Sequence, residues 1–311
     1  MSKKVKWPTN KKFAFTIIDD TDNSTIENIE PIYDLLHKNN ILTTKTVWVY
    51  ESRDHFTGSS IKDAAYLNFT KNLKNKGFEI QLHNVGSGSF NRKEIIEGIE
   101  TFKKKMGYYP KMHINHSSNP DNVYWGHKRY SFLFKNLMKL VFGKKRRFYG
   151  DDKDSKHFWG DIHKEHIKYT RNRVFNSINT LKMDPKMPFM EKSKPYANYF
   201  FSSSDGHTVE EFNNLITKEN IDQLEKEGGL CIVYTHFASG FLKEDGAIDA
   251  GFKNKIEYLA GKNGWFVPAS EILDYLLKEK NKSPYASALY TFKLDLKWFI
   301  QRIIKKIKFG R

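Results

Sequence analysis

Seven short apolar runs punctuate the chain, at 13–19, 44–50, 78–84, 111–115, 198–203, 230–236 and 265–267. Five of the intervals between them, around 24–38, 61–76, 93–106, 209–227 and 252–260, carry apolar residues at helical spacing. Ser24 followed by Glu27 has the spacing of a capping box, and Gly77 stands where a helix must stop before the next strand. The runs are apolar on both faces, as strands are when helices cover each side of a sheet. Repeated strand–helix alternation predicts a parallel α/β architecture. About seven units suit an irregular (β/α) barrel, with an open doubly wound sheet as the alternative.

Two stretches depart from the alternation. Between Pro120 and Tyr196 the chain turns aromatic and basic, and a loop that long inside a compact domain carries function or helices of its own. We expect an insertion at about 120–196 over the barrel mouth. Its Trp125, Tyr149, Phe158, Trp159 and Tyr169 are either flat platforms for sugar rings, with Trp125 and Trp159 foremost, or a satellite core. The last segment, 291–311, sets Leu296, Phe299, Ile300, Ile303 and Ile307 at helical spacing, with Lys297, Gln301, Arg302, Lys305 and Lys308 over much of the other side. A basic amphipathic helix of this kind either lies in an anionic bilayer interface or docks its apolar face on the body; we expect the former. The expected organisation is a basic segment 1–12, a barrel 13–290 and a helix 291–311.

Charge and cysteine content narrow the function classes. Of the formal +16, five charges sit in residues 1–12 and a net six in 291–311, so the body is only mildly basic. That favours an anionic surface at the ends over a nucleic-acid groove through the middle. The cluster at 144–147 has no accompanying nucleic-acid motif, so no nucleic acid is expected. A single cysteine, Cys231, excludes an internal disulfide, fits a reducing compartment and lies inside an apolar run as a small buried residue. No run approaches the ~20 apolar residues of a spanning helix, and the start lacks the apolar core of a secretory signal. The expected place is the cytoplasm, peripheral at the inner membrane face. VGSGSF lacks the elbow of a serine hydrolase.

Chemistry concentrates at the carboxyl ends of three runs: Asp19 and Asp20 after the first, His83 after the third, His236 after the sixth. Strand carboxyl ends are where barrel enzymes assemble sites from distant sequence. Two acids and two imidazoles suit a divalent metal beside an acid/base pair.

These residues resemble the motifs of metal-dependent polysaccharide deacetylases, chitooligosaccharide deacetylase-like esterases on an irregular (β/α) barrel, from about Phe13 to Leu276. IIDD stands in the place of the family's Thr-Phe-Asp-Asp, which implies Asp19 as general base and Asp20 as metal ligand. In the place of His-Ser/Thr-x-x-His the chain has His83-Asn84-Val85-Gly86-Ser87, so His83 matches and Ser87 replaces the second ligand. MHINHSS follows GYYPK, where the family has Arg-x-Pro-Tyr; the alignment puts His113 on the arginine and His116 on the tyrosine, with His116 as third ligand. Asp205, in YFFSSSDGH, is expected to orient His113. Tyr234-Thr235-His236 matches Leu-x-His, which implies His236 as the proton donor to the leaving group, with Tyr234 and Asn115 near the substrate. WFVPASEILDYL resembles the last strand and helix of that barrel.

The resemblance implies a divalent metal, zinc first and iron, cobalt or manganese as alternatives. It implies removal of an N- or O-linked acetyl group from a sugar or lipid-linked glycan in surface-polysaccharide biosynthesis. The alternative is an inactive barrel of the same fold that binds carbohydrate at the membrane surface.

Overall fold

The computed structural model describes residues 5–142, 147–279 and 283–309. The elements run β1 (Phe13–Asp19), α1 (Ile26–Lys38), β2 (Thr44–Val47), α2 (Ala64–Asn75), β3 (Glu79–Leu82), α3 (Arg92–Met106), β4 (Met112–His113) and α4 (Phe132–Phe142). They continue α5 (Gly160–His166), β5 (Tyr169–Phe175), α6 (Thr180–Met183), β6 (Tyr199–Asp205), α7 (Val209–Leu215), α8 (Lys218–Glu227), β7 (Leu230–Thr235), α9 (Ala250–Ala260), β8 (Gly264–Trp265), α10 (Ala269–Lys278) and α11 (Ala288–Phe309). Most of the basic cluster at 144–147, and the first and last residues of the chain, lie outside the described residues.

All strand pairings in the sheet are parallel, and β1 pairs with both β7 and β2, so β1 to β7 close into a barrel. The closing edge is divided. The carboxyl end of β1 pairs with β2 (Ile18 with Thr44), while its amino end pairs with the extra strand β8 (Phe13 with Gly264). The expected seven-strand α/β barrel is the fold.

Period-two alternation along β1 sorts its side chains between two cores. Phe13, Phe15 and Ile17 pack with Ile29, Ile32 and Leu36 of α1 in the outer layer. Ala14 and Ile18 pack with Met112, Tyr169, Phe201 and Ile232 of other strands inside the barrel. Cys231 is buried in the outer layer, and burial pushes its thiol up to about 12.

Helix boundaries follow local chemistry. Thr25, rather than Ser24, caps α1, and Asn28 Oδ1 accepts from its N–H at 2.9 Å. The Ser24 hydroxyl is instead 3.1 Å from Lys45 Nζ. The pattern at 209–227 is two helices, because Thr217 caps a new one by accepting from Asn220 N–H. Gly77 takes a φ of 95° between α2 and β3.

Strand β5 lies within the stretch expected as an insertion, so that stretch also supplies a wall of the barrel. The chain on its amino side, from β4 to β5, carries α4 and α5. Trp159 belongs to the core, with its Nε1–H donated to the Asp121 carbonyl at 2.7 Å. The C-terminal helix begins at Ala288 and docks on the barrel by Leu294, Asp295 and Trp298, all buried. No helix among the described residues is long and apolar enough to cross a membrane.

Candidate functional site

Asp19 is still on the strand when the chain reaches the barrel rim, so its side chain takes the outer face. There Asp19 Oδ2 accepts from Tyr33 Oη (2.9 Å) and lies 2.8 Å from Lys45 Nζ, while Oδ1 accepts from Phe237 N–H (2.9 Å). Both Asp19 and Lys45 are fully buried. With these three donors beneath the helix layer, the Asp19 carboxylate ties together β1, α1, β2 and the loop after β7.

Asp20, one residue on, alternates inward. Arg171 of β5 grips it with two hydrogen bonds, Nη1 to Oδ1 at 3.0 Å and Nη2 to Oδ2 at 2.5 Å. Burial pushes Asp20 up, but the Arg171 guanidinium, aided by His83 and His236, outweighs it and holds the carboxyl below its ordinary value. Arg171 in turn lies 4.6 Å from the centre of the Tyr234 ring. A bulge between Arg171 and Arg173 resets the alternation of β5, so Arg171 points into the barrel and Arg173 out to α11.

Past the strand end, Asp22 turns back over the mouth. Three imidazoles meet it: His236 Nε2 at 3.0 Å, His116 Nε2 at 3.2 Å and His83 Nε2 at 3.4 Å. Each ring is fixed through its other nitrogen. His83 Nδ1 faces the Ile114 carbonyl (3.1 Å), His116 Nδ1 the Asn119 Oδ1 (3.0 Å) and His236 Nδ1 the His207 carbonyl (3.2 Å). Acceptors at all three Nδ1 positions require protons there, which directs the Nε2 lone pairs of His83 and His116 at Asp22. Asp22 Oδ1, His83 Nε2 and His116 Nε2 are buried and make no hydrogen bond within the described residues. Candidate ligand atoms of these three residues lie within 4.8 Å of one another.

Lone pairs facing a carboxylate across about 3 Å need a cation or protons between them. Burial opposes charge on His116 and His236, but the nearby Asp22 carboxylate raises both above the ordinary histidine value. Burial would also raise Asp22, yet the imidazoles, His83 first, hold it well below the usual range. A two-imidazole, one-carboxylate set of this kind fits a borderline divalent ion such as zinc, and also iron, cobalt or manganese.

Other expected site residues fall elsewhere. Ser87 donates to Asp54 Oδ1 (2.7 Å), outside the Asp22 cluster. His113 is buried with both ring nitrogens unpartnered, in edge contact with Trp159 and His163. Burial, and then the charges of His163 and His83, hold it well below the ordinary value. Asp205 does not orient it; that carboxylate is 2.9 Å from Lys305 Nζ and 3.4 Å from Arg302 Nη1. Asn115 is spent on its own loop, donating to the Val123 carbonyl (3.1 Å) and accepting from Val123 N–H (3.0 Å). Trp125, partly buried, stacks under Arg129 at 4.8 Å. Tyr234 borders the site, with its hydroxyl 3.3 Å from His207 Nδ1.

Sequence reasoning missed Asp22 and Arg171. The third acid of DDTD was legible as a candidate. Arg171 carried no motif signal, because its strand was not recognised.

No protein-family model matches the chain, and no curated protein matches it by sequence. Solved structures do. The chain is similar to PuuE allantoinase, at a TM-score of 0.55 and 11% identity over 90% of this chain and 94% of that one. It is also similar to a probable polysaccharide deacetylase from Pseudomonas aeruginosa PAO1, at a TM-score of 0.50 and 10% identity over 89% and 95%. The fold is therefore one that the chain shares, almost end to end, with a polysaccharide deacetylase and an allantoinase.

Proposed function

We propose that the protein is a divalent-metal-dependent hydrolase that removes an acetyl group, N- or O-linked, from a sugar or glycan. The observation that carries this reading is the arrangement around Asp22: two fixed imidazole lone pairs and a carboxylate oxygen without partners, beside a separately clamped carboxylate and a third imidazole.

Asp22, His83 and His116 are the groups that would hold the cation, with zinc the first choice. Bound there, such an ion supplies a Lewis acid for the acetyl carbonyl and lowers the pKa of a water it holds. The protein's own groups do the remaining work. Asp20, kept ionised by Arg171, is the base that takes a proton from the attacking water. This assignment moves the base role from Asp19, which is buried among its own donors, to the inward-facing neighbour. His236, whose Nε2 lies 3.0 Å from Asp22 Oδ2 at the mouth, is the acid that gives its Nε2 proton to the departing amine or alcohol. The His116 backbone N–H, expected near the oxyanion, is instead donated to Asn84 Oδ1 at 2.7 Å.

The substrate class we assign is an acetylated glycan intermediate, lipid-linked, in surface-polysaccharide assembly. The lone buried thiol supports a reducing, cytoplasmic setting. The test is elemental analysis of untagged protein purified without chelator, beside acetate release from acetylated sugars. One equivalent of metal and chelator-sensitive acetate release are expected. Protein that takes up no metal at Asp22, or releases no acetate when loaded, refutes the reading.

A further inference from the structure

Helix α11 carries apolar residues on two opposite faces. One is satisfied: Leu294 and Trp298 are buried, Asp295 pairs with Arg173, and Lys305 reaches Asp205 and Glu211, each at 2.9 Å. The other is bare. Leu289, Leu296, Ile300, Ile303, Ile304 and Ile307 recur at helical spacing and are exposed, Leu289 at 63% and Ile307 at 81%. Along an α-helix this stripe runs roughly 27 Å. Helix α4 packs beside α11 through Phe134 and Phe299 (ring centres 5.7 Å apart) and adds exposed Phe132 and Leu140.

A monomeric surface has no reason to hold six isoleucines and leucines in one stripe at this exposure. The flanks say what covers them. Lys293 and Lys297 border the stripe on one side and Lys306 on the other, all three exposed, and the chain as a whole is at formal +16. An apolar ridge between rows of lysine fits the acyl boundary and anionic headgroups of a bilayer. A second positive copy of the same face fits it poorly, since the lysines would oppose one another.

Position adds function to this surface. The turn bearing Ile303, Ile304 and Ile307 also bears Lys305, whose target Asp205 ends β6 at the barrel mouth. Two residues on, the His207 carbonyl accepts from His236. The last turns of α11 therefore lie against the barrel rim through Lys305, with the bare stripe on the outer side of the same turns.

We propose that the outer face of α11 seats the protein in the plane of an anionic membrane surface, with the barrel mouth beside the headgroups, so that the site is supplied from the lipid layer. The docking stands apart from the chemistry; only its consequence, a lipid-anchored glycan as substrate, rests on the deacetylase reading.

The test is sedimentation of the full chain with vesicles of phosphatidylcholine, with and without roughly one-third phosphatidylglycerol. Wild type is expected to sediment with the anionic vesicles, weakly with the neutral ones, and less as salt rises. The triple variant Ile300→Ser, Ile303→Ser, Ile307→Ser is expected to lose at least about tenfold in binding while keeping its circular dichroism and melting temperature. Should that variant fail to fold, Lys293→Glu, Lys297→Glu, Lys306→Glu reads the charge arm alone and is expected to abolish the preference for anionic vesicles. Wild type that ignores anionic vesicles, or serine and glutamate variants that bind as wild type does, overturns the proposal. So does a dimer, seen by light scattering, that the serine variant dissolves without any vesicle binding. Acetate release from a soluble acetylated sugar, measured in parallel, separates failure of docking from failure of the hydrolase reading.

Discussion

Lys45 Nζ sits 2.8 Å from Asp19 Oδ2, with neither side chain reaching solvent, and this pair lies on the opposite face of β1 from the barrel interior. Breaking a buried pair by neutralising one partner leaves the other charge unmatched, a loss of about 3–5 kcal/mol. Asp19→Asn is therefore expected to lower the urea midpoint strongly, while the folded fraction keeps its turnover. Lys45→Met is expected to destabilise similarly, and the double variant less than the sum. Loss of turnover in fully folded Asp19→Asn protein, with stability unchanged, would return the base role to Asp19.

Asp20 gives the contrasting expectation. Asp20→Asn removes the proton acceptor and leaves Asp22 and its imidazoles in place, so kcat should fall by about 10²–10⁴ with metal content unchanged. Asp22→Ala should do the reverse in order of cause, losing metal first and activity with it. Arg171→Lys replaces a two-point clamp with a point charge, so it should lower kcat with little change in KM. The checks are metal stoichiometry and steady-state kinetics on the same preparations.

The sequence made the barrel legible because most of its strands are apolar on both faces and separated by helices of ordinary period. Strand β5 was not, and its residues explain why. YTRNRVF carries Arg171 facing inward and Arg173 facing outward, so neither face reads as apolar. Each arginine is satisfied by a carboxylate far away in sequence, Asp20 and Asp295, which no local pattern displays. The same limit applies to the site. His83, His116 and His236 were legible as candidates by their places near strand ends, but the choice among Asp19, Asp20 and Asp22 depended on where β1 stops. Period two sends Asp19 outward and Asp20 inward, and only the turn after the strand brings Asp22 to the imidazoles.

A pH dependence of stability follows from His163, on α5. Its Nδ1–H is donated to the Tyr196 carbonyl (2.7 Å), Thr170 Oγ1 is 3.2 Å from Nε2, and burial drives its value down to about 4. An unfolded chain titrates near 6.5. Above that, the ring is neutral in both states and its contribution to stability is complete. Between about 6.5 and 4 only the unfolded chain gains the proton, so stability falls as pH falls, by about 3 kcal/mol in all. Below about 4 the folded ring is protonated too, and this contribution has gone. His163→Gln keeps a donor and an acceptor without titrating. Urea midpoints at pH 7 and pH 4 should therefore drop less in the variant than in wild type, and equal drops would exclude this origin.

Arg173 and Asp295 tie the last helix to the barrel wall. Both side chains are fully buried, 2.7 Å apart, and the second carboxylate oxygen accepts from Ser131 N–H at 2.8 Å. Helix α11 is thus packed into the folded body through its inner face. Removing 291–311 strips the carboxylate from a buried guanidinium and uncovers the seats of Leu294 and Trp298, so the truncated chain should melt well below the full one. Asp295→Asn isolates the electrostatic part and should lose about 3–5 kcal/mol, because the arginine stays charged. Arg173→Met with Asp295→Leu removes both charges together and is expected to recover most of that loss. If instead the truncated protein melts like the full chain, α11 contributes only its outer face, and the buried pair is worth little.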